Sequence, residues 1–370
     1  MKIILFYCFL ISVNISIVKA QEITIRGNKF YVDEEEIWFN GINTPWHHFD
    51  DFGNEFDSAW WKAEFQLYAD NNINLARVWV HCSGKYNPEV NDEGFIIGAG
   101  NDFWEHFDGL VTIARTKGIY LLPSLWSFDM THQKYPGHQR YRQLVNDPKK
   151  IQSYIDNVLV PLVKRYTDEP CILGWEICNE PEWMFEDPDK GNFTVETVQT
   201  FHAMLASAIH KNCTKPVTTG SAAIKWNSEK YRYPGQVSGN LWSDEALQAV
   251  YSDTNAYFDF YQIHWYPWQT QWMSSPYQMS IKEYQIDEKP VLIGESQGMD
   301  QCDQYICQTL QEMYENAYKN GYAGLCAWKT PQNDGCGIFE NIATATNSFY
   351  KNHPELIKLN KSPIHELYCQ

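Results

Sequence analysis

Apolar residues along this chain fall into short continuous runs that alternate with helically spaced stretches, from Ile37 nearly to the C-terminal end. Ahead of that alternation, Ile23 to Ile25 and Lys29 to Val32 flank Arg26-Gly27-Asn28, and a turn-rich separator between two alternating runs reads as a β-hairpin. The short runs predict strands at Ile37 to Asn43, Ile73 to Val80, Ile119 to Leu125, from Cys171 onward, Pro216 to Thr219, Phe258 to Trp265, Pro290 to Gly294 and Tyr322 to Trp328. Between them, helical spacing predicts Ala59 to Ala69, Phe103 to Thr116, Ile151 to Tyr166, Val195 to His210, a helix around Ser243 to Tyr251, and Gln304 to Tyr318. Lys117-Gly118 supplies a C-terminal stop to the second of these. Ile151, Ile155, Val158, Leu159, Leu162 and Val163 share one face of the third.

Eight strand–helix alternations without a linker, repeat or low-complexity segment predict a single (β/α)8 barrel, with the N-terminal hairpin capping its closed bottom. A doubly wound open sheet is the alternative. It is disfavoured because no Gly-rich phosphate loop follows the first strand.

Length and composition narrow the class. The chain has 370 residues, and residues 1–20 read as a secretory signal: Lys2, an apolar run from Ile3 interrupted by Ser12, Asn14 and Ser16, then Val18-Lys19-Ala20 with small residues where a signal peptidase reads. Residues 21–370 are then expected to form one secreted, extracellular domain. No later segment approaches the ~20 apolar residues of a membrane span. Net charge is −17, and loss of Lys2 and Lys19 makes the mature chain more acidic, which disfavours nucleic acid and anionic membrane as partners. The 15 Trp, 23 Tyr and 19 Phe are a high aromatic load, most of it expected in the core, and an excess suits a groove that stacks sugar rings.

Ten cysteines accord with export. Nine remain once Cys8 leaves with the signal, and up to four disulfides are expected. Cys171 begins the fourth strand and Cys213 lies just before the fifth, close together on the barrel bottom, so a bond between them is expected, with two unrelated thiols as the alternative. No CxxC pair occurs, and His47-His48 lacks a spaced third ligand, so no metal or cofactor is expected. Asn192, Asn212 and Asn360 begin N-glycosylation patterns.

Candidate chemistry lies at the strand ends. Gly174-Trp175-Glu176-Ile177-Cys178-Asn179-Glu180-Pro181 is an apolar strand ending in an amide and a carboxylate, stopped by a proline that has no N–H to donate. Pro290-Val291-Leu292-Ile293-Gly294-Glu295 is a second such strand ending in an acid. In a parallel barrel, strand C-termini are where chemistry happens, and two carboxylates there suggest the pair of a glycosidase. Arg77 lies inside an apolar strand, where an unpaired cation is costly, so it needs a carboxylate partner. At the end of strand six, His264 and Tyr266 face the same side by the strand period. Trp328 ends strand eight, where core packing and a sugar platform are both open.

In this chain order, Arg77, Asn179-Glu180, His264-x-Tyr266, Glu295 and Trp328 resemble glycoside hydrolase family 5, clan A, over about Ile23 to Tyr350. Asn40-Gly41-Ile42-Asn43-Thr44-Pro45-Trp46, Asp51-Phe52-Gly53-Asn54, Leu125-Trp126 and Tyr266-Pro267-Trp268 are similar to the endo-β-1,4-mannanase branch found in molluscs and arthropods. Trp183 departs from the pattern, which more usually has a small residue there.

The resemblance implies a monomeric, retaining enzyme on β-1,4-linked polysaccharide, with Glu180 as acid/base and Glu295 as nucleophile. Arg77 and Tyr266 would hold Glu295 ionised by lowering its pKa. Asn179 would bind the sugar 2-hydroxyl, Trp328 would floor that sugar, and His264 would orient the site. Trp46, Trp126, Trp183, Trp242 and Trp268 are candidates for neighbouring subsites. An endo-β-1,4-glucanase with the same pair is the alternative, and a barrel that binds carbohydrate without cleaving it is a remoter one.

Overall fold

In a computed structural model, residues 22–302, 307–329 and 335–360 are described. The expected signal segment, Cys369 and the last two positions of the Asn360 glycosylation pattern lie outside them. Barrel strands 1 to 8 are Phe39–Asn43, Leu75–Trp79, Tyr120–Ser127, Trp175–Asn179, Val217–Ser221, Tyr261–Trp265, Val291–Ser296 and Gly324–Trp328. All are parallel, and the sheet closes where strand 8 pairs with strand 1, Gly324 opposite Phe39 and Trp328 opposite Asn43. The expected (β/α)8 barrel is therefore borne out. Nearly every strand residue is buried on both faces, as in a parallel sheet covered by helices.

Local chemistry accounts for the helix ends. Asp57 caps the helix Ser58–Asp70 by accepting from the amides of Ala59 and Trp60, both at 3.0 Å. Gly118 closes Phe103–Lys117 with φ 76°, a left-handed conformation that glycine adopts without strain. The predicted helix from Ile151 is interrupted. Pro148–Tyr154 and Val160–Arg165 are α-helical, with a π turn at Ile155–Leu159 between them. Pro161 has no N–H to return to the preceding turn, so the hydrogen-bond ladder is broken there.

Strand 4 begins at Trp175 rather than Cys171, and Ile172 makes only an isolated bridge to Leu121. The helix expected over Gln304 to Tyr318 runs instead from Leu310 to Lys319, capped reciprocally by Thr309 and Glu312. Its expected first turn falls partly outside the described residues. Cys307–Gln308 pairs with Gln301–Cys302 in a small hairpin closed by a Cys302–Cys307 disulfide. Helices His138–Asn146 and Phe339–Asn352 were not anticipated from spacing.

The N-terminal hairpin gains a third strand, Glu35–Ile37. Phe30 from this sheet meets Phe39 and Phe260 edge-on at 5.3 and 5.2 Å, at the N-terminal ends of barrel strands, and closes the bottom. The disulfide expected between Cys171 and Cys213 is not formed. Both are buried thiols, Cys171 donating to the Val111 carbonyl and Cys213 accepting from the Lys215 amide. Among the described residues no helix is long and apolar enough to cross a membrane.

Candidate active site

Strand 4 delivers three polar side chains to the open end. Glu176 points into the barrel, where Arg77 of strand 2 meets it with two nitrogens: Nε to Oε2 at 2.6 Å and Nη2 to Oε1 at 2.5 Å. Ser124 and Gln262 donate to the same carboxylate at 2.8 and 2.9 Å, so its acceptors are filled. The remaining Arg77 donors hold the next layer up. Nη2 reaches the Asn179 side-chain Oδ1 at 2.8 Å, and Nη1 reaches Asn43 Oδ1 at 2.9 Å and Glu295 Oε1 at 2.7 Å. Residue 220 must be glycine here, because a Cβ would lie 2.6 Å from Glu176 Oε1 and 2.8 Å from Arg77 Nη2. With its oxygen engaged by Arg77, Asn179 is left with its amide N–H₂ as the group to offer a ligand.

The ladder stops after Asn179, and Glu180 adopts a left-handed backbone, φ 47°. A non-glycine residue held there stores strain that the surrounding structure must hold in place. Its amide donates to the Gly220 carbonyl at 2.7 Å, and its side chain accepts from the Trp183 indole at 2.8 Å. The other carboxyl oxygen lies 2.9 Å from His264 Nδ1.

Glu295 is gripped by Arg77 on one oxygen and by the Tyr266 hydroxyl, 2.9 Å away, on the other. The register between strands 6 and 7 shifts between Ile263 and His264, which brings His264 opposite Glu295, and the register between strands 7 and 8 shifts between Ile293 and Ser296. Such irregularities re-aim side chains at the rim of a barrel. One ligand atom from each of Glu180, His264 and Glu295 lies within 4.8 Å of the others. That spacing is also metal-sized, but Glu295 is already paired with the Arg77 guanidinium, whose positive charge beside the cluster disfavours a cation.

Burial pushes the Glu180 carboxyl up, opposed by the Trp183 N–H, Arg77 and Lys190. Burial also pushes Glu295 up, against His264 and Arg77. Arg77 lowers the Glu295 pKa, as expected from the sequence, but desolvation outweighs it and the carboxyl stands above its ordinary value. Burial drives His264 down to about 4, so its ring is neutral at ordinary pH. A neutral ring has two tautomers: Nδ1 donates to an ionised Glu180 or accepts from a protonated one.

The structure brings Arg77, Asn179, Glu180, His264, Tyr266 and Glu295 together, as their positions at strand ends implied. Trp328 stands edge-on to Trp79 at 5.8 Å, and Trp79 to Trp46 at 5.9 Å, giving an aromatic wall on that side. Trp126 does not join it. It is 1% exposed and packed among Tyr141, Tyr154 and Phe201, so it has no face to give a sugar. Trp242 is likewise buried, donating to Glu182 at 2.7 Å.

Trp268 is 47% exposed and Trp272 65%, and they line a groove of about 630 Å³ with Trp226, Tyr233 and Trp183, the last of which contacts Glu180. Glu176, Asn43 and Trp272 were missed as contributors from sequence. Glu176 carried a usable signal, a charge inside an apolar strand, which is the same signal that marked Arg77.

A closed parallel barrel with adjacent carboxylates ending strands 4 and 7 is the architecture of a glycoside hydrolase. Comparison with known proteins narrows the kind. The chain is 25% identical over 340 residues to the mannan endo-1,4-beta-mannosidase of Cryptopygus antarcticus, covering 84% of this chain and 85% of that one. It is 25% identical over 337 residues to that of Mytilus edulis, covering 83% and 87%. Solved structures of the beta-mannanases from the same two organisms superpose with TM-scores of 0.78 and 0.76, at 23% identity, covering 89% and 93% of this chain and 94% and 100% of theirs. These structural likenesses carry the fold. No protein-family model matches the chain. Relatedness to mollusc and arthropod proteins of this kind, read from the motifs, is thus borne out over most of its length.

Proposed function

We propose that the protein is a secreted, retaining endo-β-1,4-mannanase. The observation that carries this is the pair Glu180 and Glu295, with carboxyl oxygens within 4.8 Å of each other. Retaining glycosidases place their carboxyl groups ~5–5.5 Å apart, whereas inverting ones need ~6.5–9.5 Å to admit a water. Secretion rests on the signal-like residues 1–20, and the mannan substrate on the relatives named above.

In the first step, Glu180 transfers its proton to the glycosidic oxygen as that bond breaks. A carboxylate oxygen of Glu295 bonds to the anomeric carbon. In the second, Glu180, now ionised, takes a proton from water. The hydroxide oxygen displaces Glu295 and restores the original configuration. Arg77 and Tyr266 keep Glu295 aimed and supply two donors to its charge. The neutral His264 can switch tautomer as Glu180 loses and regains its proton. The Asn179 amide is free to bind the 2-hydroxyl, and the exposed faces of Trp268 and Trp272 extend the groove for a polymer.

Reducing-sugar release from galactomannan, glucomannan and carboxymethylcellulose tests the reading. Mannans are expected to be cut faster. Equal or faster cutting of carboxymethylcellulose moves the assignment to an endoglucanase, and no release from any of them leaves only a binding barrel.

A further inference from the structure

Trp183 follows the carboxyl of Glu180 by three residues, on a turn closed by its own amide to the Glu180 carbonyl at 3.2 Å. The turn folds the indole back, so that Nε1–H meets Glu180 Oε2 at 2.8 Å. The ring stands edge-on to Trp226 at 6.3 Å, another residue lining the same groove. The Lys190 ammonium lies 4.5 Å over the same ring and pairs with Asp187 at 3.3 Å. An indole nitrogen can only donate. Unlike His264, it cannot adapt to the protonation state of the carboxyl, so its contact favours the ionised form.

We propose that Trp183 is a positioning residue for Glu180: its indole N–H fixes the carboxyl group and stabilises its charged form, which sets the pH at which Glu180 stops serving as an acid. The proposal rests on the reading of Glu180 as the acid/base. A buried carboxyl otherwise holds its proton too firmly to act as a base in the second step. The donor restores the balance between the two steps.

Other groups face Glu180 from each element around it, and Trp183 acts against that background. His264 contacts it from strand 6, while Arg77 from strand 2 and Lys190 favour its charge. Glu176 in strand 4, Glu295 in strand 7 and Asp129 after strand 3 oppose it, and Tyr266 stands beside the pair. In Trp183→Phe these groups remain, and the N–H is lost together with one ring of the indole.

The test uses the mature protein labelled with ¹⁵N-tryptophan. The Trp183 indole resonance, identified by its absence in Trp183→Phe, is expected to titrate with pH in the wild type. It should stop titrating in Glu180→Gln. A resonance that is flat in the wild type, or that titrates unchanged in Glu180→Gln, overturns the proposal whether or not the protein proves to be a mannanase. The second arm is the pH profile of kcat/KM on glucomannan, whose alkaline limb reports the acid of the free enzyme. Trp183→Phe is expected to move that limb upward by about one pH unit, the scale of a hydrogen bond to a charged group, and to leave the acid limb in place. An unmoved alkaline limb overturns the proposal. Absence of polymer hydrolysis by the wild type overturns the functional reading instead, and the spectroscopic arm still decides the Trp183–Glu180 contact.

Discussion

Arg77 and Glu176 form a two-point ion pair at the centre of the barrel, both side chains fully buried, and the same guanidinium reaches on to Glu295. A fork-shaped cation can hold two carboxylates and two amides at once, which a single ammonium cannot. The site is therefore suspended from one side chain of strand 2.

Arg77→Ala is expected to abolish measurable activity and to cost on the order of 3–5 kcal/mol of stability, because it strands Glu176 without its cation. Arg77→Lys should recover part of the stability and little of the activity. Urea unfolding and turnover on glucomannan check both. A variant that melts and turns over like wild type would show that the pair does neither job.

Glu180→Ala and Glu295→Ala should each fold normally and lose several orders of magnitude in rate. Azide is expected to rescue Glu180→Ala through a product of retained configuration. It should act on Glu295→Ala, where it acts at all, through an inverted one, since it then attacks from the nucleophile's side. Product configuration is read by NMR, and wild-type turnover in either variant removes that residue from the mechanism.

Trp126→Ala and Trp268→Ala should separate cleanly. The first empties a fully buried site and is expected to cost about 3–5 kcal/mol. The second removes an exposed ring and should leave the melting temperature within error while weakening binding of long mannans. Thermal melts and KM on polymer against a short oligosaccharide measure the split.

His202 is buried, its Nδ1 2.7 Å from the Val198 carbonyl, and burial drives its pKa down to about 4. The unfolded chain binds this proton near pH 6.5 and the folded chain only near 4. Stability from His202 is therefore present above about 6.5 and lost as pH falls through that window, up to roughly 3 kcal/mol. His202→Phe should flatten the difference in unfolding free energy between pH 7 and 4.5. The comparison of variant with wild type isolates the imidazole from Glu182, whose pKa, pushed up by burial to about 7, gives the opposite slope. An unchanged slope in the variant would mean that His202 is charged when folded.

Non-reducing peptide mapping should recover Cys302 linked to Cys307, and alkylation after unfolding without reductant should label Cys171 and Cys213. A recovered Cys171–Cys213 peptide would reverse this assignment.

The barrel was legible from the sequence because periodicity is a property of neighbours along the chain. Apolar runs such as Val291 to Ile293 state their own burial, and their polar ends state where the open face lies. The need of Arg77 for a partner was legible for the same reason, since a charge inside an apolar run announces its own cost. Which carboxylate answers that need was not legible. Glu176 lies 99 residues away and Glu295 218, and only closure of the sheet brings strands 2, 4 and 7 to one point. Tertiary packing likewise decided between like residues: Trp126 and Trp242 inside, Trp268 and Trp272 outside, Cys302 bonded and Cys171 not. It also set the upward shift of Glu295, because desolvation depends on everything that surrounds a group in space rather than on what stands beside it in the chain.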